Sequence, residues 1–251
     1  MRHYFGSLAD RDRTERSDYH LAFLLTFIAG AANAGGFMAI RIYTSHMSGM
    51  VSSLADNLVI GNLKLFAYGL AGLLAFLAGA ATSAILINWA RRRDLHSQYA
   101  LPLGLEAILL AAFAATSLLD EGSLLRGTAA VVSLLCYVMG LQNAMITKLS
   151  GARIRTTHVT GMVTDIGIEC GKWFYSLMPH DETRLPAIAP ERKKLATLVS
   201  LVGLFFCGGV FGALLFGHYG VSASLVLAVP LMLVAAFPFV HDVDSLFVHK
   251  R

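Results

Sequence analysis

An all-α, polytopic membrane bundle is the fold class that this sequence predicts, with six spans plus two broken or re-entrant segments in an inverted 3+3 repeat. Three observations lead there. Of the 251 residues 56% are hydrophobic and 14% charged, whereas a soluble domain carries about 25% charged residues. The apolar residues fall in uninterrupted runs, long enough to cross a hydrocarbon core of about 30 Å. Finally, one polar pattern occurs twice, in stretches too rich in Ser, Thr and ionisable groups to be ordinary spans.

Residues 1–20 are polar and mixed in charge, and the apolar run that follows is too long for a signal-peptide core, so they are expected to form an uncleaved cytosolic tail. The first membrane repeat occupies 21–119, with spans at 21–40, 65–90 and 101–119 and a doubtful stretch at 44–62. The second occupies 120–240, with spans at 127–147, 195–217 and 221–240 and a doubtful stretch at 156–178. A Pro-rich connector, 179–194, precedes its second span, and 241–251 form a C-terminal cytosolic tail. Small residues recur every fourth position at Ala71, Ala75, Gly79 and Ser83, and again at Gly209, Ala213 and Gly217, a spacing that lets helix backbones approach closely in lipid.

Whether the doubtful stretches cross is decided by charge, because Lys and Arg accumulate on the cytosolic side. If both stretches enter and return to the same side, 17 of the 20 basic residues lie inside, and only Arg41, Lys64 and Arg126 lie outside. If both cross, the better split is 13 against 7. Re-entry and cytosolic termini in a bacterial inner membrane are therefore expected. The net charge of +4 has the same explanation, since the basic residues flank apolar runs, and nucleic acid is not an expected partner. Cys136, Cys170 and Cys207 each lie in a hydrophobic stretch without C-x-x-C spacing and read as buried apolar residues.

The repeated pattern is Thr44-Ser45-His46-Met47-Ser48-Gly49-Met50-Val51-Ser52 against Thr156-Thr157-His158-Val159-Thr160-Gly161-Met162-Val163-Thr164. Upstream of each copy lies an echo, Gly30-x-x-Asn33-Ala34 and Gly140-x-x-Asn143-Ala144. Such recurrence in order indicates duplication. With three crossings per half, an odd number, the second half must be inverted, and inverted repeats place a solute site near the midplane where broken helices meet.

The motif residues are the candidates for solute binding. Ser48-Gly49 and Thr160-Gly161 fall in the first turn of each presumed half-helix, where unsatisfied N–H groups and the positive dipole end attract anions or carbonyl oxygens; alternatively the glycines let the segments pack against Asn33 or Asn143. His46 and His158 suit a pH-sensitive gate, since an imidazole as such titrates near neutrality, or else they serve the helix starts beside the capping residues Thr44, Ser45, Thr156 and Thr157. Asn33 and Asn143 are placed to bond across helices or to hold the re-entrant backbone. On a helix beginning near Thr156, residues 158, 165 and 169 lie within about 40° of one another, so His158, Asp165 and Glu169 share a face. Asp165 and Glu169 are the candidate proton-coupling groups, because close carboxylates with poor hydration oppose each other's ionisation. Asp56 is expected to point to water, and Glu106, inside its span near Arg91 to Arg93, to snorkel to the cytosolic surface.

The segment His158-Val159-Thr160-Gly161-x-x-Thr164-Asp165 and its partner motif resemble the YoaK-like family of uncharacterised bacterial integral membrane proteins, over about residues 20 to 240. The resemblance implies a multi-span inner-membrane protein without an assigned substrate. In that family's first motif Gly is followed by Asn, where this chain has Met50.

A membrane transporter for a small polar or anionic solute, with proton coupling as an option, is the function these features favour. A channel of similar architecture is the alternative. An enzyme or metal-dependent protein would have to use His46, His158 and Asp165, and the sequence holds no Gly-x-Ser-x-Gly or His-Glu-x-x-His signature. No cofactor and no resident metal are expected; the expected partners are the solute and the lipid bilayer, with homo-oligomerisation left open.

Overall fold

The computed structural model describes residues 15–118, 127–149, 157–177 and 190–248. Among these there is no strand, and eight α-helices follow in order: α1 (Glu15–Ile40), α2 (Met47–Val59), α3 (Leu63–Arg92), α4 (Ala100–Ala115), α5 (Thr128–Leu149), α6 (Val159–Ser176), α7 (Arg192–Tyr219) and α8 (Ser224–Val248). The tails at 1–14 and 249–251 and most of the 179–194 connector lie outside the described residues, as do Thr156 and the basic residues Arg126, Arg153 and Arg155.

The chain is a helical membrane bundle. Five helical segments are long and apolar enough to cross a membrane: Arg16–Ala39, Leu63–Arg92, Ala100–Leu118, Thr128–Leu149 and Arg192–Val240. The last has 49 residues, which as one straight rod would reach about 74 Å. It is divided at Gly220, whose φ of +58 and ψ of −146 favour glycine and end α7. Elsewhere the ends follow local chemistry. Asn62 caps α3 by accepting from Leu65 N at 3.2 Å, and Arg91 and Arg92 sit in its last turn, where cations oppose the negative dipole end. Pro102 falls in the first turn of α4, where no intrahelical N–H bond is lost. The two doubtful stretches are helical but short: α2 has 13 residues and α6 has 18, or about 20 and 27 Å.

Packing joins the two halves of the chain. α3 lies on α5, α1 on α7 and α4 on α8, while α2 and α6 rest on α3 and α7. Contacts along the pairs give their directions. Gly72 meets Val132 and Cys136, Gly140 meets Phe76, and Lys148 reaches Asn88, so α3 and α5 run parallel. Gly208, Gly212 and Gly35 meet Phe27, Ala31 and Phe216, so α1 and α7 are parallel too. Between α4 and α8 the order reverses: Ser224 bonds Leu110 O, Gly104 faces Ala235 and Phe239, and Asp242 accepts from His96 N.

Glycines set the closest crossings, because in lipid the association of helices depends on intimate packing and not on expulsion of water. At α3–α5, Gly79 lies against Tyr137 O and Gly140 against Phe76 O; at α1–α7, Gly208 lies against Phe27 O and Gly30 against Phe205 O. The small-residue stripe of α7 therefore faces its partner one residue away from the expected register. Gly208 and Gly212 are buried, whereas Gly209, Ala213 and Gly217 are not. Period alone cannot distinguish two adjacent small stripes.

Two further expectations are corrected. Glu106 does not snorkel; it is 0% exposed, and Gln142 of α5 lies against it. Of the cysteines only Cys136 is buried, while Cys170 is half-buried and Cys207 exposed, because membrane helices turn apolar residues outward as well as inward.

Candidate functional site

The two motifs meet. The first residues of α2 and α6 line a single cavity of about 650 Å³, which Tyr43, Ser45, His46, Met47 and Ser48 enter from one side and Thr157, His158, Val159, Thr160 and Gly161 from the other. Phe76 of α3 and Phe205 of α7 also line the cavity, each being the residue whose carbonyl meets a crossing glycine. The volume lies in the range of ligand sites, about 300–1,000 Å³. No Asp, Glu, Lys or Arg lines it.

Each motif is tethered by the asparagine upstream. Asn33 Oδ1 accepts from Ser45 N at 3.1 Å and from Ser45 Oγ at 3.0 Å. Asn143 Oδ1 accepts from Thr157 Oγ1, and its Nδ2 donates to Met139 O at 2.8 Å. Both asparagines are buried, and Asn33 borders the cavity itself. Ser45 and Thr157 thus spend their side chains on the asparagines. The N-cap positions are held by His46 and His158, neither with a side-chain cap bond, so the first N–H groups of both helices are not closed off by caps. Thr44 is fully buried with Oγ1 unbonded and does not cap α2.

The two glycines differ. A Cβ on Gly49 would lie 2.1 Å from His46 Cδ2, so Gly49 makes room for the imidazole and not for Asn33; Gly161 has nothing within 4 Å of its Cβ position. His46 also borders a second cavity of about 690 Å³, lined by Arg41, Lys64, Ser53 and Asn57 among others. His46 therefore stands between the central cavity and a chamber carrying two cations.

The acidic candidates lie elsewhere. Asp165 is half-buried on α6 and Glu169 is buried, but neither lines the cavity, from which Glu169 stands about 16 Å along the helix axis. Glu169 Oε1 accepts from Lys172 Nζ at 2.9 Å and lies 3.6 Å from Lys194 Nζ, and Oε2 accepts from Glu191 N at 2.9 Å. It clamps the start of α7 to α6. Its counterpart Asn57 keeps its side chain on its own helix, donating from Nδ2 to Ser53 O at 2.7 Å, and only its backbone carbonyl accepts from Asn62 N at 2.9 Å. Asp56 is exposed. Among the described residues no three His, Cys, Asp or Glu groups come close enough to hold a metal.

One polar pair was not legible beforehand: Gln142 Nε2 donates to Glu106 Oε1 at 3.0 Å, between α5 and α4. Its only sequence signal is the adjacency of Gln142 to Asn143 in an apolar span.

The family model described as "Protein of unknown function (DUF1275)" matches residues 21–237, in keeping with the expected likeness to an uncharacterised membrane family. A UPF0700 transmembrane protein of Rhizobium meliloti (strain 1021) is 28% identical over 244 residues, covering 95% of this chain and 96% of the relative. No solved structure matches.

Proposed function

The chain belongs to the DUF1275 family of proteins of unknown function, and from that premise we propose that it is a membrane carrier for a small polar or anionic solute bound where α2 and α6 begin. The observation that carries this reading is the convergence of both copies of the motif on one cavity. Two helix N-termini there offer N–H donors and positive dipole ends with no acidic side chain to repel an anion. The neighbouring chamber, with Arg41 and Lys64, would draw anions toward His46. Ser48, Thr160 and Gly161 form the binding rim, Gly49 lies at the neighbouring chamber beneath the His46 ring, and His46 and His158 flank the rim.

The repeat is part of the same proposal, with residues 21–119 and 120–240 as inverted halves. Helix directions support it by parity. If α4 and α8 are antiparallel, an odd number of reversals separates them, so that α5 and α7 cross and α6 returns to its own side. If α1 and α7 are parallel, α2 must behave as α6 does. Six spans result, with both termini on the side of Arg16, Arg91 to Arg93, Lys148 and Arg192 to Lys194, the cytosolic side of an inner membrane by the positive-inside rule. Asp165 remains the candidate for proton coupling from α6, while Glu169, held by two lysines, is assigned to bracing.

The test needs no known substrate. In a cysteine-free background, Ser48→Cys and Thr160→Cys are reacted in proteoliposomes with anionic and cationic methanethiosulfonates of equal size. Reaction with the anionic reagent at least about 5-fold faster, after correction for free-thiol rates, is expected; such a ratio is about 1 kcal/mol of preference. Preference for the cation, or no reaction with either, would overturn the reading. A carrier should expose the two positions to one side at a time, a channel to both at once.

A further inference from the structure

Glu106 is a carboxyl group sealed inside the bundle with a single partner. It is 0% exposed, as is Gln142, and Gln142 Nε2 donates to its Oε1 at 3.0 Å. The other two oxygens of the pair, Glu106 Oε2 and Gln142 Oε1, are shut off from solvent and bonded to nothing. Buried polar atoms of this kind are rare and costly, and both orphans here are acceptors. A proton on Glu106 Oε2 supplies the donor that the pair lacks, and a carboxyl group so protonated can pair with the Gln142 amide through a second hydrogen bond, to Gln142 Oε1.

Among the described side chains, no neighbouring element supplies a cation. Glu106 is the sole titratable group on α4. On α5 the only charge is Lys148, which bonds Asn88 Oδ1 at 2.9 Å. On α3, Lys64 lies over the Tyr68 ring, Arg91 reaches Tyr99 Oη at 3.3 Å and Arg92 is exposed, as is Arg93 just beyond the helix. On α8, Asp242 binds the N–H groups of His96 and Ser97. None of these described groups pairs with Glu106.

The fold does not require a polar pair at this depth. Tyr99, Ala100, Leu103 and Ala107 of α4 correspond to Leu227, Ala228, Leu231 and Ala235 of α8, all buried. In that alignment Glu106 corresponds to Val234, and by the Asn33 and Asn143 echo Gln142 corresponds to Ala32, each 3% exposed. One half closes the position with hydrocarbon, and the other places an acid and an amide there.

We propose that Glu106 and Gln142 form a buried proton-exchange site linked to the central cavity through Asn143. Release needs the seal over Glu106 to open: the proton then leaves Oε2 for an admitted water, and the resulting carboxylate has no donor left to offer the Gln142 carbonyl. The pair then holds two acceptors with no donor between them, which favours a turn of the Gln142 amide. Its chain neighbour Asn143 holds Thr157 at the cavity, so rearrangement of α5 here reaches the second motif. The proton site stands by itself; its link to the cavity rests on the solute-binding reading.

Infrared spectroscopy of the full chain in lipid nanodiscs at neutral pH is the test. A protonated-carboxyl C=O band is expected, displaced in D2O, absent from Glu106→Gln and displaced again in Gln142→Met. Absence of the band from the wild-type protein, or its persistence in Glu106→Gln, would overturn the site, and a band unmoved by Gln142→Met would overturn the pairing. If Glu106→Gln fails to fold, the wild-type band and its response to Gln142→Met decide. For the link, anionic labelling of Thr160→Cys, corrected for thiol ionisation, should change at least about 3-fold with pH and become flat when Glu106→Gln is added, a factor near 0.65 kcal/mol. Flat labelling in both proteins breaks the link and leaves the solute site intact. Loss of all labelling with the band retained breaks the solute site and leaves the proton site.

Discussion

Replacing the crossing glycines by alanine tests the packing between the halves. A Cβ on Gly79 would sit 2.0 Å from Tyr137 O, on Gly140 2.0 Å from Phe76 O, on Gly208 2.0 Å from Phe27 O and on Gly30 2.1 Å from Phe205 O. Real Cβ atoms essentially never come within 3.0 Å of such neighbours, and the obstacle is backbone, so each pair of helices must part by roughly 1 Å in a close-packed interior. Overpacking of this kind costs about 1–3 kcal/mol, with values near the top expected because a carbonyl cannot rotate away. The gain in helix propensity from Gly to Ala offsets about 1 kcal/mol. Each variant should therefore lose about 2 kcal/mol, measured by reversible unfolding of purified protein in mixed micelles with circular dichroism. Gly79→Ala and Gly140→Ala open the same crossing, so their double variant should lose less than the sum. Gly79→Ala with Gly208→Ala strains separate crossings and should be additive within about 0.5 kcal/mol. If all four single variants stayed within about 0.5 kcal/mol of wild type, the crossings as described would be wrong.

Other expectations follow from the same geometry. Gly161→Ala should keep or raise stability, by up to about 1 kcal/mol of helix propensity, since nothing lies within 4 Å, yet slow labelling of Thr160→Cys, whereas Gly49→Ala should displace the His46 ring; thermal melting and labelling rates separate the two effects. Burial works to raise the Asp242 carboxyl, but hydrogen bonds from the Ser97 side chain and the His96 and Ser97 N–H groups prevail and hold it below the ordinary Asp range. A depressed folded value gives stability that is present above the unfolded value of about 3.9 and is lost as pH falls toward the folded one. Asp242→Asn, which keeps one acceptor but turns a donor on the second N–H, should cost roughly 1–3 kcal/mol and flatten that acid limb of a melting-temperature profile. If Asp165 couples protons, Asp165→Asn should abolish the pH dependence of solute exchange while leaving exchange itself; unchanged pH dependence would remove it from that role.

Much of this arrangement could be read from residues alone, and what could not has a common cause. The long apolar helices, the two short polar helices between them and the tethering asparagines follow from local hydropathy and from a repeated pattern, all of which are properties of short stretches. The role of Glu169 does not, because its second lysine, Lys194, belongs to another helix and lies across a connector. Glu106 reads as a surface carboxylate until α5 brings Gln142 to it, a pairing no spacing reveals. The interface stripe on α7 is displaced by one residue because Gly208 and Gly209 are adjacent, and only the partner helix selects between them. Gly161 and Gly49 look equivalent in sequence, yet the His46 ring fills one position and open space the other.

The most direct test concerns the sides on which α2 begins and ends. Single cysteines replacing Arg41 and Lys64, in a chain without its native cysteines, can be challenged with a membrane-impermeant maleimide in intact cells and again after permeabilisation. Labelling of both before permeabilisation is the predicted result, with a cysteine at Arg93 protected until the membrane is opened. Protection of one of the first two while the other reacts would mean that α2 traverses the bilayer, and the shared cavity of two returning segments could not exist.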